Sequence, residues 1–124
     1  MWLFLNDGFV SIVRDRNHAR RLCVRARNRA HLERLLPAAP ILDTPGADYA
    51  CRVFVDENQV AALVARKVCE IEYGNFKNSV GDDALHQLYQ ELWCVHAPYQ
   101  ARVAARREHL RWADEDLRPV DVPE

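Results

Sequence analysis

Leu22-Cys23-Val24-Arg25-Ala26-Arg27 alternates residue by residue: Leu22, Val24 and Ala26 fall on one side, Cys23, Arg25 and Arg27 on the other. Side chains of an extended strand point to opposite faces in turn, so this hexapeptide reads as a strand with one buried face and one basic face. The segments before it continue the pattern. Trp2, Leu3, Phe4 and Leu5 are followed by Asn6-Asp7-Gly8 and then by Phe9, Val10, Ile12 and Val13. That predicts a hairpin over 2–5 and 9–15 in which Gly8 supplies a positive φ. Asp15-Arg16-Asn17-His18 is a polar loop that leads back to the alternating strand.

Helical spacing takes over downstream. Asn28 is placed to cap a short helix over 29–36 with Leu32, Leu35 and Leu36 inward, and Pro37 and Pro40 stop it. After a loop over 37–47, residues 48–55 (DYACRVFV) read as the next strand. Asp56 with Gln59 opens a helix over 57–71, carried by Val60, Leu63, Val64, Val68 and Ile71, with Gly74 expected just beyond its end. A polar connection over 72–81 precedes Asp82, the expected cap of a helix over 83–97. Pro98 interrupts it, and 99–112 read as an Arg-rich helix. The fold class this order implies is α+β. A small antiparallel or mixed sheet of three to four strands, with a ferredoxin-like arrangement as one option, carries helices on one face and a C-terminal helical segment. The expected organisation is a compact domain over 1–97, an appended helix over 98–113 and an acidic, flexible tail over 114–124. Among 124 residues, 49% are hydrophobic and 28% charged, the balance of an ordinary globular domain. No run approaches ~18 apolar residues, so no membrane contact is expected. With no secretory signal visible, the expected location is the cytoplasm.

The net charge of −1 conceals blocks of opposite sign. Residues 14–34 carry +6, 35–98 carry −5, 99–113 carry +3 and 114–124 carry −4, with Asp7 adding the last negative charge. Fifteen of the 17 basic residues are Arg, a bias that a GC-rich coding sequence also produces, so position counts for more than number. Arg25 and Arg27 leave one strand in the same direction. Arg14 and Arg16 are expected to extend that face, Arg20 and Arg21 to widen it, and Arg52 to join it from the later strand. Guanidinium groups grip phosphate and carboxylate bidentately, so the cluster suits an anionic partner, either an acidic protein surface or a nucleic acid. The alternative is that these arginines pair internally with the acidic segments. A second surface is the helix after Pro98, with Arg102, Arg106, Arg107, Arg111 and Trp112; through 83–112 it is also the expected contact for homo-oligomer formation.

Chemistry-bearing motifs are sparse. There is no P-loop, no GxGxxG, no GxSxG around Ser11 or Ser79, and no CxxC among Cys23, Cys51, Cys69 and Cys94. His86, Cys94 and His96 are spaced so that they do not converge on one ion, and neither metal nor cofactor is expected. Tyr73, Asn75, Phe76 and Lys77 form one loop cluster; a Tyr–Lys pair near the arginines would suit a small enzyme or nucleotide site, and a loop anchored by its aromatics is the plainer reading.

Several of these pieces together resemble a family of small bacterial proteins. The shared pattern comprises Met1, Trp2, Phe4, Gly8, Phe9, Ser11 and Val13; then Val24-Arg25-Ala26-Arg27; then Asp48, Tyr49, Arg52 and Val55; then Tyr73, Asn75, Phe76 and Lys77; and finally Trp93. It covers roughly residues 1–95 and leaves the Arg-rich segment outside. The resemblance implies a prokaryotic accessory protein, in some cases carried by a mobile element, and implies no particular activity. The leading expectation is a non-enzymatic binding or regulatory module. The rivals are a small enzyme or nucleotide-binding domain and an oligomeric inhibitor.

Overall fold

The computed structural model describes residues 1–116, with side chains through Arg111. In chain order the elements are β1 (Trp2–Leu5), β2 (Gly8–Arg14), β3 (Arg21–Ala26), α1 (Arg29–Leu35), β4 (Leu42–Asp43), β5 (Cys51–Asp56), α2 (Glu57–Cys69), a 3-10 turn (Lys77–Ser79), α3 (Asp83–His96) and α4 (Pro98–Asp116). The strands make one antiparallel sheet ordered β1-β2-β3-β5-β4. The fold is thus α+β with a C-terminal helix. The sheet has five strands because Leu42–Asp43, inside the expected 37–47 loop, adds a two-residue edge to β5. The first three strands neighbour one another in chain order, which is not the interleaved order of a ferredoxin-like sheet. By internal packing the chain divides within α3, into a unit of Met1–His86 and a unit that begins at Gln87.

The first unit is built on the alternation of β2, β3 and β5. Val10 and Ile12 of β2, Val24 and Ala26 of β3, and Cys51, Val53 and Val55 of β5 turn to one side and pack with Leu32 and Leu35 of α1 and Val60 and Leu63 of α2. Asn28 caps α1 by accepting from the Ala30 amide at 3.0 Å, and Asp56 caps α2 by accepting from the Asn58 amide at 2.9 Å. Helix α2 ends at Cys69, with Glu70 as its cap, so Gly74 lies beyond any capping position.

Gly8 serves a different purpose from the one its turn suggests. No residue has a positive φ among those described; the hairpin turns on Asn6 and Asp7, and Gly8 already pairs with Leu5 in the ladder. The glycine is needed for close approach, because a Cβ there would stand 3.2 Å from Cβ and Cγ of His31. The His31 ring that lies against Gly8 accepts the Phe9 amide on its Nδ1 at 3.2 Å.

Burial pushes the pKa of His31 below its ordinary value, and the hydrogen bond requires an unprotonated Nδ1. The unfolded chain therefore binds this proton more readily than the folded one. The stability contributed by neutral His31 is present above the ordinary histidine range and is lost as the pH falls through and below it. Denaturation by urea is expected at lower concentration at about pH 5.5 than at about pH 8. His31→Asn, which retains an acceptor without a titrating ring, should flatten that dependence. An equal pH dependence in the variant would reject the assignment.

The second unit contains the remainder of α3 and α4. Asp82 caps α3 by accepting from the Leu85 amide at 2.8 Å, as the sequence implies. The Ala97 amide donates to the Trp93 carbonyl at 2.8 Å, and Pro98 then opens α4 at a position where a missing N–H costs nothing. From Pro98 to Arg111 every side chain is exposed except Val103, which is half-buried. No described helix is long and apolar enough to cross a membrane. The side chain of Trp112 and residues 117–124 of the acidic tail lie outside the described residues.

Candidate functional site

Four arginines of residues 14–34 are in ion pairs, and two others, Arg25 and Arg27, join Arg52 in a cluster that has none among the described residues. Arg14 is on the helix-covered side of β2, not on the face of Arg25. Its Nη1 meets Glu57 at 2.6 Å, and Arg20 reaches the same carboxylate at 3.8 Å. Arg21 shares the face of Arg25 but is neutralised: its Nε donates to Asp15 at 2.6 Å while the guanidinium lies over the Phe54 ring. The Asn17 amide, and after it Arg21, holds the Asp15 carboxyl below the usual range even though the residue is buried. Arg29 bridges Glu33 and Asp43, and Arg34 donates to the Asp7 carbonyl. Arg16 is exposed in the turn between β2 and β3. The charges of Arg14, Arg20 and Arg21 are therefore matched by Glu57 and Asp15, whereas Arg16 has no ion pair among the described residues.

Arg25, Arg27 and Arg52 remain, and the fold brings them together. In the β3–β5 register Arg25 stands directly opposite Arg52. Arg27, two residues on from Arg25, leaves the sheet on the same side. None of the three has a carboxylate within ion-pair distance among the described residues. Their partners are neutral. Arg25 donates to Ser11 Oγ at 2.8 Å, Arg27 to the Asp48 carbonyl at 3.1 Å, and Arg52 to Thr44 Oγ1 at 3.4 Å. Tyr49 organises the group: the guanidinium carbons of Arg25 and Arg27 lie 4.5 and 4.3 Å from its ring centroid. Tyr49 is 3% exposed and Ser11 1% exposed, so both are enclosed, Ser11 beneath half-buried Arg25 and Tyr49 beneath Arg25 and exposed Arg27. The Nε of Arg25 is buried without a hydrogen-bond partner.

This arrangement is electrostatically costly. Like charges directly across a ladder repel, and a desolvated guanidinium N–H without an acceptor forgoes a hydrogen bond it would make in water. The stacking on Tyr49 offsets part of that cost. Cys23 sits on the same face, and burial pushes its thiol up although Arg52 and Arg25 pull the other way. The thiol of Cys51, on the opposite face, is also pushed up by burial and donates to the Ala26 carbonyl at 3.3 Å. Both are packing residues. No group of three His, Cys, Asp or Glu that would hold a metal occurs among the described residues.

Ser11, Arg25, Arg27, Asp48, Tyr49 and Arg52 all belong to the sequence pattern described above, and they meet in one place. Arginine spacing alone singles out Arg25 and Arg27. It does not single out Tyr49, Ser11 or Thr44, because a lone aromatic, serine or threonine looks like any other strand or loop residue.

The Tyr73–Lys77 cluster makes a small structure of its own. The Tyr73 and Phe76 rings are 5.9 Å apart, Asn75 Oδ1 accepts from the Asn78 amide, and Ser79 Oγ donates to the Phe76 carbonyl. Two clefts are prominent. One, of about 580 Å³, lies between the Pro37–Pro40 segment and α2; the other, of about 550 Å³, lies at the α3–α4 turn. Neither is lined by Tyr73, Asn75 or Lys77, nor by Arg25, Arg27 or Arg52. Arg102, Arg106, Arg107 and Arg111 project from α4 into solvent. Comparison of the chain with protein-family models, with curated proteins and with solved structures gives no match.

Proposed function

We propose that this protein is a non-enzymatic binding module that takes an oxyanion of its partner, phosphate or carboxylate, on Arg25, Arg27 and Arg52. One observation supports this above the others. Arg14, Arg20, Arg21 and Arg29 are matched with carboxylates, while none of these three has one within ion-pair distance among the described residues. An anion bound there would supply the missing countercharge. Neither of the two clefts described above is lined by Tyr73, Asn75 or Lys77, the catalytic set of the rival reading.

The test is binding of a labelled single-stranded oligonucleotide and of labelled poly-glutamate at rising salt, with the native chain and with R25Q/R27Q/R52Q. Three lost phosphate contacts should lower the slope of log affinity against log salt by about 2 for the oligonucleotide. A partner that is an acidic protein would show the loss with poly-glutamate instead. Unchanged binding of both ligands by the triple variant, folded by circular dichroism, would overturn the proposal.

A further inference from the structure

A second surface lies in the unit that begins at Gln87. At 100° per residue, Tyr99, Val103 and Leu110 of α4 fall on one stripe, with Arg102 and Arg106 to one side of it and Arg107 and Arg111 to the other. Arg102, Arg106 and Arg107 have no carboxylate partner among the described residues. Where α4 meets the end of α3, Trp93, His96, Tyr99, Val103 and Arg107 line the cleft of about 550 Å³. Trp93 is 54% and Tyr99 59% exposed, and the His96 and Tyr99 rings lie 6.2 Å apart at 31°. Large aromatic rings presented to solvent around a concavity, with arginines alongside, offer π-faces and countercharges together.

We infer that the α3–α4 turn binds single-stranded nucleic acid, stacking unpaired bases on Trp93 and Tyr99 while Arg107 and its neighbours on α4 hold the phosphates. Base stacking is tolerant of sequence because every base has a π-face, and arginine serves both the phosphate and the ring. A duplex hides its base faces, so it offers this cleft only its phosphates. An acidic polypeptide offers charge without rings to stack. The exposed aromatics therefore favour the nucleic acid. This inference stands apart from the sheet-face reading, because it uses none of Arg25, Arg27 and Arg52.

The experiment is fluorescence anisotropy of a fluorescein-labelled oligothymidine of about 15 nucleotides with the full chain. Trp93→Ala and Tyr99→Ala should each weaken binding about tenfold, whereas Trp93→Phe and Tyr99→Phe retain it to within about twofold. Arg107→Gln should lower the salt slope by about 0.7. Tyr99 is exposed on α4, so its variants keep the test decisive if replacement of Trp93 disturbs α3. The R25Q/R27Q/R52Q background separates the two surfaces: the effect of Tyr99→Ala should persist in it. Binding that ignores both alanine variants would overturn the inference, as would equal Trp93 and Tyr99 dependence with poly-glutamate or with duplex.

Discussion

Replacing Tyr49 by alanine is expected to destabilise the protein by about 4 kcal/mol, within the range for deleting a large buried aromatic. Tyr49 is 3% exposed, so its removal leaves a cavity that partly buried Arg25 and exposed Arg27 border with polar groups. Collapse into that space would bring two guanidinium groups towards one another, and otherwise water would enter the space that the ring now fills. The loss also removes two cation–π contacts, each worth about 0.5–2 kcal/mol depending on desolvation. Against a total stability of about 5–15 kcal/mol this is a large fraction. Urea unfolding should show a lower midpoint at unchanged slope. Tyr49→Phe preserves the ring and should stay within about 1 kcal/mol of the native protein. Tyr49→Leu keeps apolar bulk but offers no π-face, so it should fold and yet bind anions less well. If Tyr49→Leu binds as the native chain does, the ring does not position the arginines.

Leu32→Ala is expected to cost about 3–4 kcal/mol, measured by the same urea titration. Leu32 has no exposed surface and is the apolar centre of α1 against the sheet. Its surroundings include Val10, Val24 and Val53, β-branched side chains held by paired strands on both sides. Such side chains have few alternative rotamers, so the site closes poorly and the cost falls in the upper part of the known range. Leu36, the half-buried C-cap of the same helix, is the comparison: its truncation should cost less than half as much. Equal losses at the two positions would mean that α1 contributes by its presence rather than by what it buries.

Much of the fold is legible in the sequence because alternation and helical spacing leave few choices. The strict period of Leu22 to Arg27 places β3, and Asn28, Asp56 and Asp82 mark helix starts as caps. Ends are less legible. The apolar period of α2 runs on to Val68 and Ile71, but Val68, in the last turn, is exposed, and the helix ends at Cys69 before Ile71, which is exposed as well. A two-residue edge such as β4 has no periodicity to detect. Gly8 misleads for a different reason: a glycine after Asn-Asp resembles a turn residue, and only the distance to His31 reveals its role. At the site, strand direction assigns Arg25 and Arg27, whereas the neutralisation of Arg14, Arg20 and Arg21 depends on Glu57 and Asp15, whose proximity is tertiary.

The order of strands also determines which pairings the arginine cluster requires. β1, β2 and β3 are joined by short turns and can zip together from contacts close in the chain, the kind of pairing that forms fastest. Tyr49 and Arg52 arrive only with β5, after α1 and the long connection have been laid down. A three-stranded intermediate would hold Arg25 beside Ser11 with no ring to stack on and no Arg52 opposite. The like-charged pairing of Arg25 with Arg52 therefore requires β5 in place, so a chain in which only β1, β2 and β3 are paired lacks the complete arginine cluster.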